Sequence, residues 1–269
     1  MTIGELLAGA DIAPADARTL LAHVLDVSVT WIYAHESDPL QAGTADRFDA
    51  LVERCRAGEP LAYVLGYRDF WTLRLQVGPA ALIPRRETEH LVEWALERAD
   101  AGAEDLLDLG TGTGAIALAC KSARPSLRVT ASDASSDALA LAHANGRALA
   151  LEVNWCQSDW FSGLGDQSWR LVVSNPPYIA EQDPHLREGD LPAEPHMALV
   201  SGPDGLTALS QIIDAAPCHL RSEGWLLLEH GFDQAERVRA LLLQRGFVSV
   251  ATRRDWSGHE RVTGGMWCH

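Results

Sequence analysis

The chain has 269 residues, 47% hydrophobic and 22% charged, a composition typical of a soluble globular protein, and is long enough for one large domain or an ordinary domain beside a small one. Its formal net charge of −15, with basic residues densest only at Arg85-Arg86 and Arg253-Arg254, weighs against a nucleic-acid backbone as the main partner. No apolar run approaches the roughly 20 residues that cross a bilayer, and Met1-Thr2-Ile3-Gly4-Glu5 has no basic stretch ahead of an apolar one, which argues against a secretory signal.

The five cysteines (Cys55, Cys120, Cys156, Cys218, Cys268) stand singly, without a Cys-x-x-Cys pair. They suggest neither zinc nor a redox dithiol and read as buried thiols of a reducing, cytoplasmic compartment.

Residues 1 to 68 read as a small all-helical domain. Thr2 with Glu5 fits a capping box. Pro14 suits the first turn of a second helix, with Ala17, Leu20, Leu21, Val24 and Leu25 on one face. Thr44 is expected to cap a further helix that turns Phe48, Leu51, Val52 and Cys55 inward and stops before Gly58. A short helical turn follows, closed by Gly66.

Residues 69 to 84 read as a linking β-hairpin. Phe70 to Val77 alternate as a strand, Gly78-Pro79 serves as the turn, and Ala81-Leu82-Ile83 is the return. A helix then opens near Glu87-Thr88-Glu89, with acids in its first turn.

From residue 85 to 269, strands and helices alternate in the pattern of a doubly wound, Rossmann-like α/β sheet. The strands are expected at 105–109, 127–132, 152–157, 170–174 and 224–229, with two further candidates at 246–248 and 260–266. Helices are expected at 115–123, 136–149, 204–216 and 233–244.

The chemistry collects at strand ends, where open α/β sheets bind ligands. After the first strand, Gly110-Thr111-Gly112-Thr113-Gly114 opens a helix. Glycines there permit positive φ, and the helix start offers free N–H donors. Such a loop suits a pyrophosphate or the carboxylate end of an amino-acid-bearing cofactor. Asp133 ends the second strand, where an acid accepts from both ribose hydroxyls of NAD or of S-adenosylmethionine, or else caps the next helix. Asp159-Trp160 follows the third, able to meet an adenine amine and face, or to sit in the core.

The fourth strand ends at Asn175-Pro176-Pro177-Tyr178. Two prolines stop the ladder and make a rigid corner. The Asn175 side-chain oxygen and the Pro176 carbonyl can hold both N–H groups of a planar NH2 and aim its lone pair, while Tyr178 packs on the planar group. Hydride transfer has no use for that corner, which weakens an NAD-dependent oxidoreductase; methyl transfer to an amide or aromatic amine does.

On these motifs the chain resembles the HemK/PrmC family, the peptide chain release factor N5-glutamine methyltransferases. The resemblance runs nearly the whole length. It includes Pro60 to Gly66, Leu82-Ile83-Pro84-Arg85 with Glu87-Thr88-Glu89, Ser158 to Phe161, and Glu194-Pro195 with Ala198-Leu199. It continues through Asp204-Gly205-Leu206, Glu229-His230-Gly231, and Asp255 with Gly258-His259 and Arg261-Val262.

The resemblance implies S-adenosyl-L-methionine as cofactor, with Gly110 to Gly114 at its methionine part, Asp133 at the ribose, Trp160 at the adenine (where Asp159, read from its own position, would take the amine), and Asn175 touching cofactor and substrate. Pro176, Pro177 and Tyr178 would complete the substrate pocket. The implied substrate is the glutamine of the Gly-Gly-Gln loop of class I release factors, gripped by the N-terminal helices, with no nucleic acid or membrane involved. The runner-up is methylation of another amide or of adenine, in ribosomal protein or nucleic acid. Arg86, Thr72 and His230 depart from the family pattern. His185 and His196 lie in a proline-rich segment, residues 179 to 203, which reads as an ordered lid rather than a metal site.

Overall fold

The computed structural model describes residues 1–268 and divides into two compact units, Met1–Tyr67 and Arg68–His269.

The first unit is helical: α1 (Ile3–Gly9), α2 (Pro14–Leu25), α3 (Val29–Ala34), α4 (Thr44–Arg56) and α5 (Leu61–Leu65). Thr2 and Glu5 form the expected capping box on α1. Ile3, Leu6, Leu20, Leu21, Ile32, Phe48, Val52 and Val64 close its core. Helix α3 has no counterpart in the sequence reading. It is one and a half turns long, too short for a helical period to show, but Ser28 caps it by accepting from Trp31 N. Thr44 does not cap α4. Gly43 takes the cap in a left-handed conformation, and Thr44 is buried as the first helical residue.

The linking hairpin turns earlier than its alternation suggests. Strands β1 (Tyr67–Phe70) and β2 (Leu73–Gln76) pair around Trp71-Thr72. Trp71 sits at φ 56, and its N–H donates to Glu89 Oε1 at 2.9 Å, which anchors the turn. A period-2 pattern continues unbroken through a two-residue turn, so it could not reveal the reversal. Residues 81–83 are accordingly not a strand.

After a 3-10 turn (Arg86–Thr88) come α6 (Glu89–Asp100), β3 (Asp105–Leu109), α7 (Ala115–Ala123), β4 (Arg128–Asp133), α8 (Ser136–Ala148), β5 (Asn154–Gln157) and β6 (Trp169–Ser174). They are followed by α9 (Thr207–Ala215), β7 (Leu220–Glu229), α10 (Ala235–Arg245), β8 (Val248–Arg254) and β9 (Glu260–Trp267). The seven-stranded sheet has the order β5-β4-β3-β6-β7-β9-β8. Its first five members in that order are parallel, while β9 runs antiparallel between β7 and β8. Helix α9 starts at Thr207 rather than 204, because Gly205 lies at φ 75 and holds the chain in a turn.

Side chains alternate across the sheet as the pleat requires. Leu106, Leu171, Val173 and Leu227 pack with α6 and α7, whereas Leu107, Leu109, Val172, Leu226 and Leu228 pack with α9 and α10. Strands buried on both faces fix the register of the parallel core. The ends of β3, β4, β5 and β6 therefore fall on one edge, with the change of winding direction between β3 and β6. The cysteines depart from the sequence reading: Cys120 is buried, Cys55 and Cys156 are half-buried, and Cys218 and Cys268 are exposed.

Candidate active site

A cavity of about 210 Å3 opens at that carboxyl edge. Gly110 to Thr113, Asp133, Asp159, Trp160, Asn175 and Pro177 border it, so four successive strand ends of the parallel core meet in one place.

The glycine loop is built by its backbone. Gly110, Gly112 and Gly114 lie at φ 67, 56 and 84, and Thr111 N donates to Ser132 O at 2.9 Å across the strand ends. Asp108, inside β3, braces the loop from below: its Oδ2 accepts from Thr111 Oγ1 at 2.6 Å and from Ala117 N at 3.2 Å. Burial pushes this carboxyl up to about 7 against those two donors. Asn145 of α8 holds the far side, donating to Thr113 O at 2.9 Å.

Gly114 does not border the cavity; its role is close packing. A Cβ there would stand 3.0 Å from Leu118 Cδ1, 3.2 Å from Trp155 Cη2 and 3.3 Å from Ala142 Cβ. Combined with the positive φ, this leads to an expected loss of roughly 1–3 kcal/mol for Gly114→Ala. Urea unfolding checks it, and a midpoint equal to wild type would show that the loop relaxes freely.

Asp133 Oδ2 accepts from Gly112 N at 2.9 Å and Oδ1 from Ser135 N at 2.9 Å. Burial pushes the carboxyl up, and the backbone donors Ser135, Gly112 and Ala134 oppose the rise. The cap of α8 is Ser135, not Asp133, so the acid is left at the cavity wall. Trp160 stands at φ 47, fixed by Ser158 Oγ donating to its carbonyl at 2.6 Å. Its indole N–H donates to Gln211 Oε1 at 3.1 Å. The ring lies so close that a Cβ on Gly110 would meet it at 3.4 Å. Asp159 is exposed at the rim.

At the fourth strand end, Asn175 Nδ2 donates to Thr88 Oγ1 at 3.2 Å, and Asn175 Oδ1 is buried without a hydrogen-bond partner. A buried amide oxygen lacking a donor costs free energy. Pro176 and Tyr178 do not border the cavity. Pro176 is buried. The Tyr178 ring packs against the α9/α10 core, and its hydroxyl points to Glu229 Oε1 at 3.5 Å. Tyr178 therefore backs the corner from the core side.

Two stretches of the chain match known protein families. Residues 3–66 match the PrmC N-terminal domain, and residues 88–189 match the methyltransferase small domain. A release factor glutamine methyltransferase of Pseudomonas aeruginosa is 54% identical over 256 residues, covering 95% of this chain and 93% of that protein. One of Xylella fastidiosa (strain Temecula1) is 50% identical over 252 residues, covering 93% and 92%. The chain belongs to the release factor glutamine methyltransferase family. The fold agrees: a methyltransferase structure from Pyrococcus furiosus superposes with a TM-score of 0.57 at 16% identity, covering 82% of this chain and 98% of that one.

In this release factor glutamine methyltransferase, three features of the site were not read as site residues from the sequence. Asp108 carried a signal, an acid inside an otherwise apolar strand. Thr88 and Glu229 gave none by themselves, because they come from a 3-10 turn and from the end of β7. The third is an ion pair at the cavity wall. Arg85 Nη2 meets Glu194 Oε1, and Glu194 Oε2 accepts from Ile83 N at 2.8 Å. It ties the wall formed by residues 80–85 to the segment after β6, whose Pro195, Met197 and Ala198 also border the cavity. In that segment His185 Nδ1 pairs with Asp183 Oδ1 at 2.8 Å.

Proposed function

We propose that this protein transfers a methyl group from S-adenosyl-L-methionine to the side-chain amide nitrogen (N5) of the glutamine in the Gly-Gly-Gln loop of class I peptide chain release factors, and so modulates translation termination in the cytoplasm. The observation that carries the reading is the buried, partnerless Asn175 Oδ1 at the cavity's fourth strand end.

The residues suit the cofactor. The glycine loop and the free N–H groups at the start of α7 receive a carboxylate. Asp133 accepts from a ribose diol, Trp160 covers an adenine face, and Asp159 at the rim takes its exocyclic amine. When bound, S-adenosyl-L-methionine supplies a methyl group on a positively charged sulfur.

The chain's own work is orientation. An amide nitrogen shares its lone pair with the carbonyl and is a poor nucleophile. Asn175 Oδ1 accepts one N–H of the glutamine NH2; the other is assigned to the backbone carbonyl of Pro176, which lies in the chain between the two wall residues Asn175 and Pro177. Held by both, the nitrogen pyramidalises and its lone pair faces the cofactor side of the cavity. Pro177 shapes the wall and the rigid corner keeps both acceptors in place. No side-chain base is required, since the methylated nitrogen loses its proton readily.

The helical unit, Met1–Tyr67, is assigned to gripping the release factor. Tyr33, 59% exposed on α3, offers an apolar contact there. Net charge of −15 favours a protein partner over a nucleic acid.

Incubation with S-adenosyl-L-methionine and a purified release factor, followed by mass-spectrometric mapping, is expected to place one methyl on that glutamine. Absence of a methyl, or methylation of adenine when nucleic acid is supplied instead, would overturn the reading. In the same assay Tyr33→Ala is expected to raise KM for the release factor while leaving affinity for S-adenosyl-L-methionine unchanged.

A further inference from the structure

Pro176 and Pro177 carry no N–H, so the corner from Asn175 to Tyr178 has no backbone donor in its middle. It has to be held at its ends. Upstream, Ser174 belongs to β6, and its Oγ donates to Leu109 O at 2.7 Å. Downstream, the Tyr178 carbonyl accepts from Gln234 Nε2 at 2.9 Å.

Gln234 stands just before α10 and is 7% exposed. Its Oε1 accepts from Gly231 N at 2.9 Å. A backbone N–H only donates and a carbonyl only accepts, so these two partners allow a single orientation of the amide. Gly231 is itself tied to the sheet, because its neighbour His230 is fully buried and donates its N–H to Arg261 O on β9 at 2.9 Å. One buried side chain thus joins the sheet at the end of β7 to the far end of the corner. The fold also keeps room for this bond. Gly205 lies at φ 75, and a Cβ there would stand 2.2 Å from Tyr178 O and 2.7 Å from Gln234 Nε2. Both distances are shorter than real contacts, so a side chain at 205 and the bond in its present place exclude each other.

We propose that Gln234 is a positioning residue for the methyl transfer: its bond to the Tyr178 carbonyl fixes the far end of the corner, and with it the setting of the Asn175 side chain and the Pro176 carbonyl. This inference rests on the function proposed above. The physical reason is leverage. Both prolines have a locked φ, so the Pro-Pro unit moves as a stiff piece. A shift at Tyr178 is passed on to Asn175 and Pro176 instead of being absorbed between them. A misplacement of about 1 Å costs on the order of a hundredfold in rate. Neither Gln234 nor Gly205 borders the cavity, so the walls that would hold the cofactor are left intact by changes at either.

The two ends of the Gln234 amide make the test selective. The experiment uses the full chain, purified release factor and S-adenosyl-L-methionine, with kcat and both KM values measured, and with the folded fraction of each variant fixed by urea unfolding. Gln234→Leu removes both bonds, and kcat is expected to fall roughly tenfold to a hundredfold with both KM values little changed. Gln234→Glu keeps an acceptor for Gly231 N but loses the donor to Tyr178 O, and kcat is expected to fall by a similar factor. A residue that served only the turn before α10 would keep its rate in Gln234→Glu. Gly205→Ala attacks the same bond from the other side, and kcat is expected to drop without dropping further when Gln234→Leu is added, because both changes remove one interaction. If Gln234→Leu fails to fold, Gln234→Glu and Gly205→Ala decide. Wild-type kcat in a folded Gln234 variant, or losses that multiply in the double variant, overturns the inference. A wild type that methylates no release factor overturns the proposed function, and this inference with it.

Discussion

Asn175→Ala is expected to lower kcat/KM by at least about a hundredfold, the scale seen when one preorganised polar group of an active site is removed, while S-adenosyl-L-methionine still binds. The reason is local. Asn175 contributes one hydrogen bond to the fold, to Thr88, and its other end already lacks a partner. Removing the side chain therefore changes stability by about 1 kcal/mol or less, but it deletes an acceptor that the reacting nitrogen needs. Methyl incorporation under cofactor saturation, calorimetric titration of the cofactor and urea unfolding together test the claim. Turnover close to wild type would reduce the corner to a structural turn.

The second large effect is expected from Arg85→Met. The Glu194 side chain is fully buried at 0% exposure, whereas Arg85 is 29% exposed. Removing the guanidinium leaves a buried carboxylate with Ile83 N–H as its remaining donor. Loss of one partner of a fully buried pair costs about 3–5 kcal/mol. Arg85 keeps some solvent contact, so a loss of roughly 2–3 kcal/mol near neutral pH is expected.

Its pH dependence has a definite sign. Burial already pushes the Glu194 carboxyl above its ordinary 4.5, with Arg85 opposing that rise. Without Arg85 the folded-state value rises further. The native variant then holds a proton that the unfolded chain has released, so its deficit grows as pH climbs above 4.5 and is relieved on acidification. Glu194→Gln, which keeps an acceptor for Ile83 N–H and removes the charge, is expected to cost less. Urea midpoints at acid and neutral pH check both variants; a pH-independent deficit for Arg85→Met would place the effect in lost packing instead.

The centre of the parallel sheet was legible in the sequence because β3, β6 and the second half of β7 are short apolar runs buried on both faces, and motifs punctuate the strand ends. Residues 105 to 109 matched a strand to the residue, and Gly110 to Gly114, Asp133, Trp160 and Asn175 were traceable to strand ends for the same reason. What stayed hidden depends on tertiary pairing. Trp71 turns the hairpin with a left-handed φ that no alternation signals. The stretch 81–83 looked like a strand because it is apolar, but Ala81 and Leu82 are apolar as cavity wall and Ile83 as buried core. Thr88 and Asn175 are 87 residues apart, and Arg85 and Glu194 are 109 apart. Local spacing carries no record of such contacts. Tyr178 was placed at the substrate on residue type alone, and what the fold shows of it is a ring packed against the α9/α10 core.

The antiparallel insertion of β9 has a practical consequence. Because β9 runs against β7, it ends at Trp267 opposite Gly224, and Cys268 follows at the amino side of the sheet. Cys218 closes the short helical turn just before β7, on that same side. Both exposed thiols thus lie at the end of the sheet remote from the cavity. A maleimide tether or fluorophore placed on them would immobilise or illuminate the protein with its working mouth facing outward.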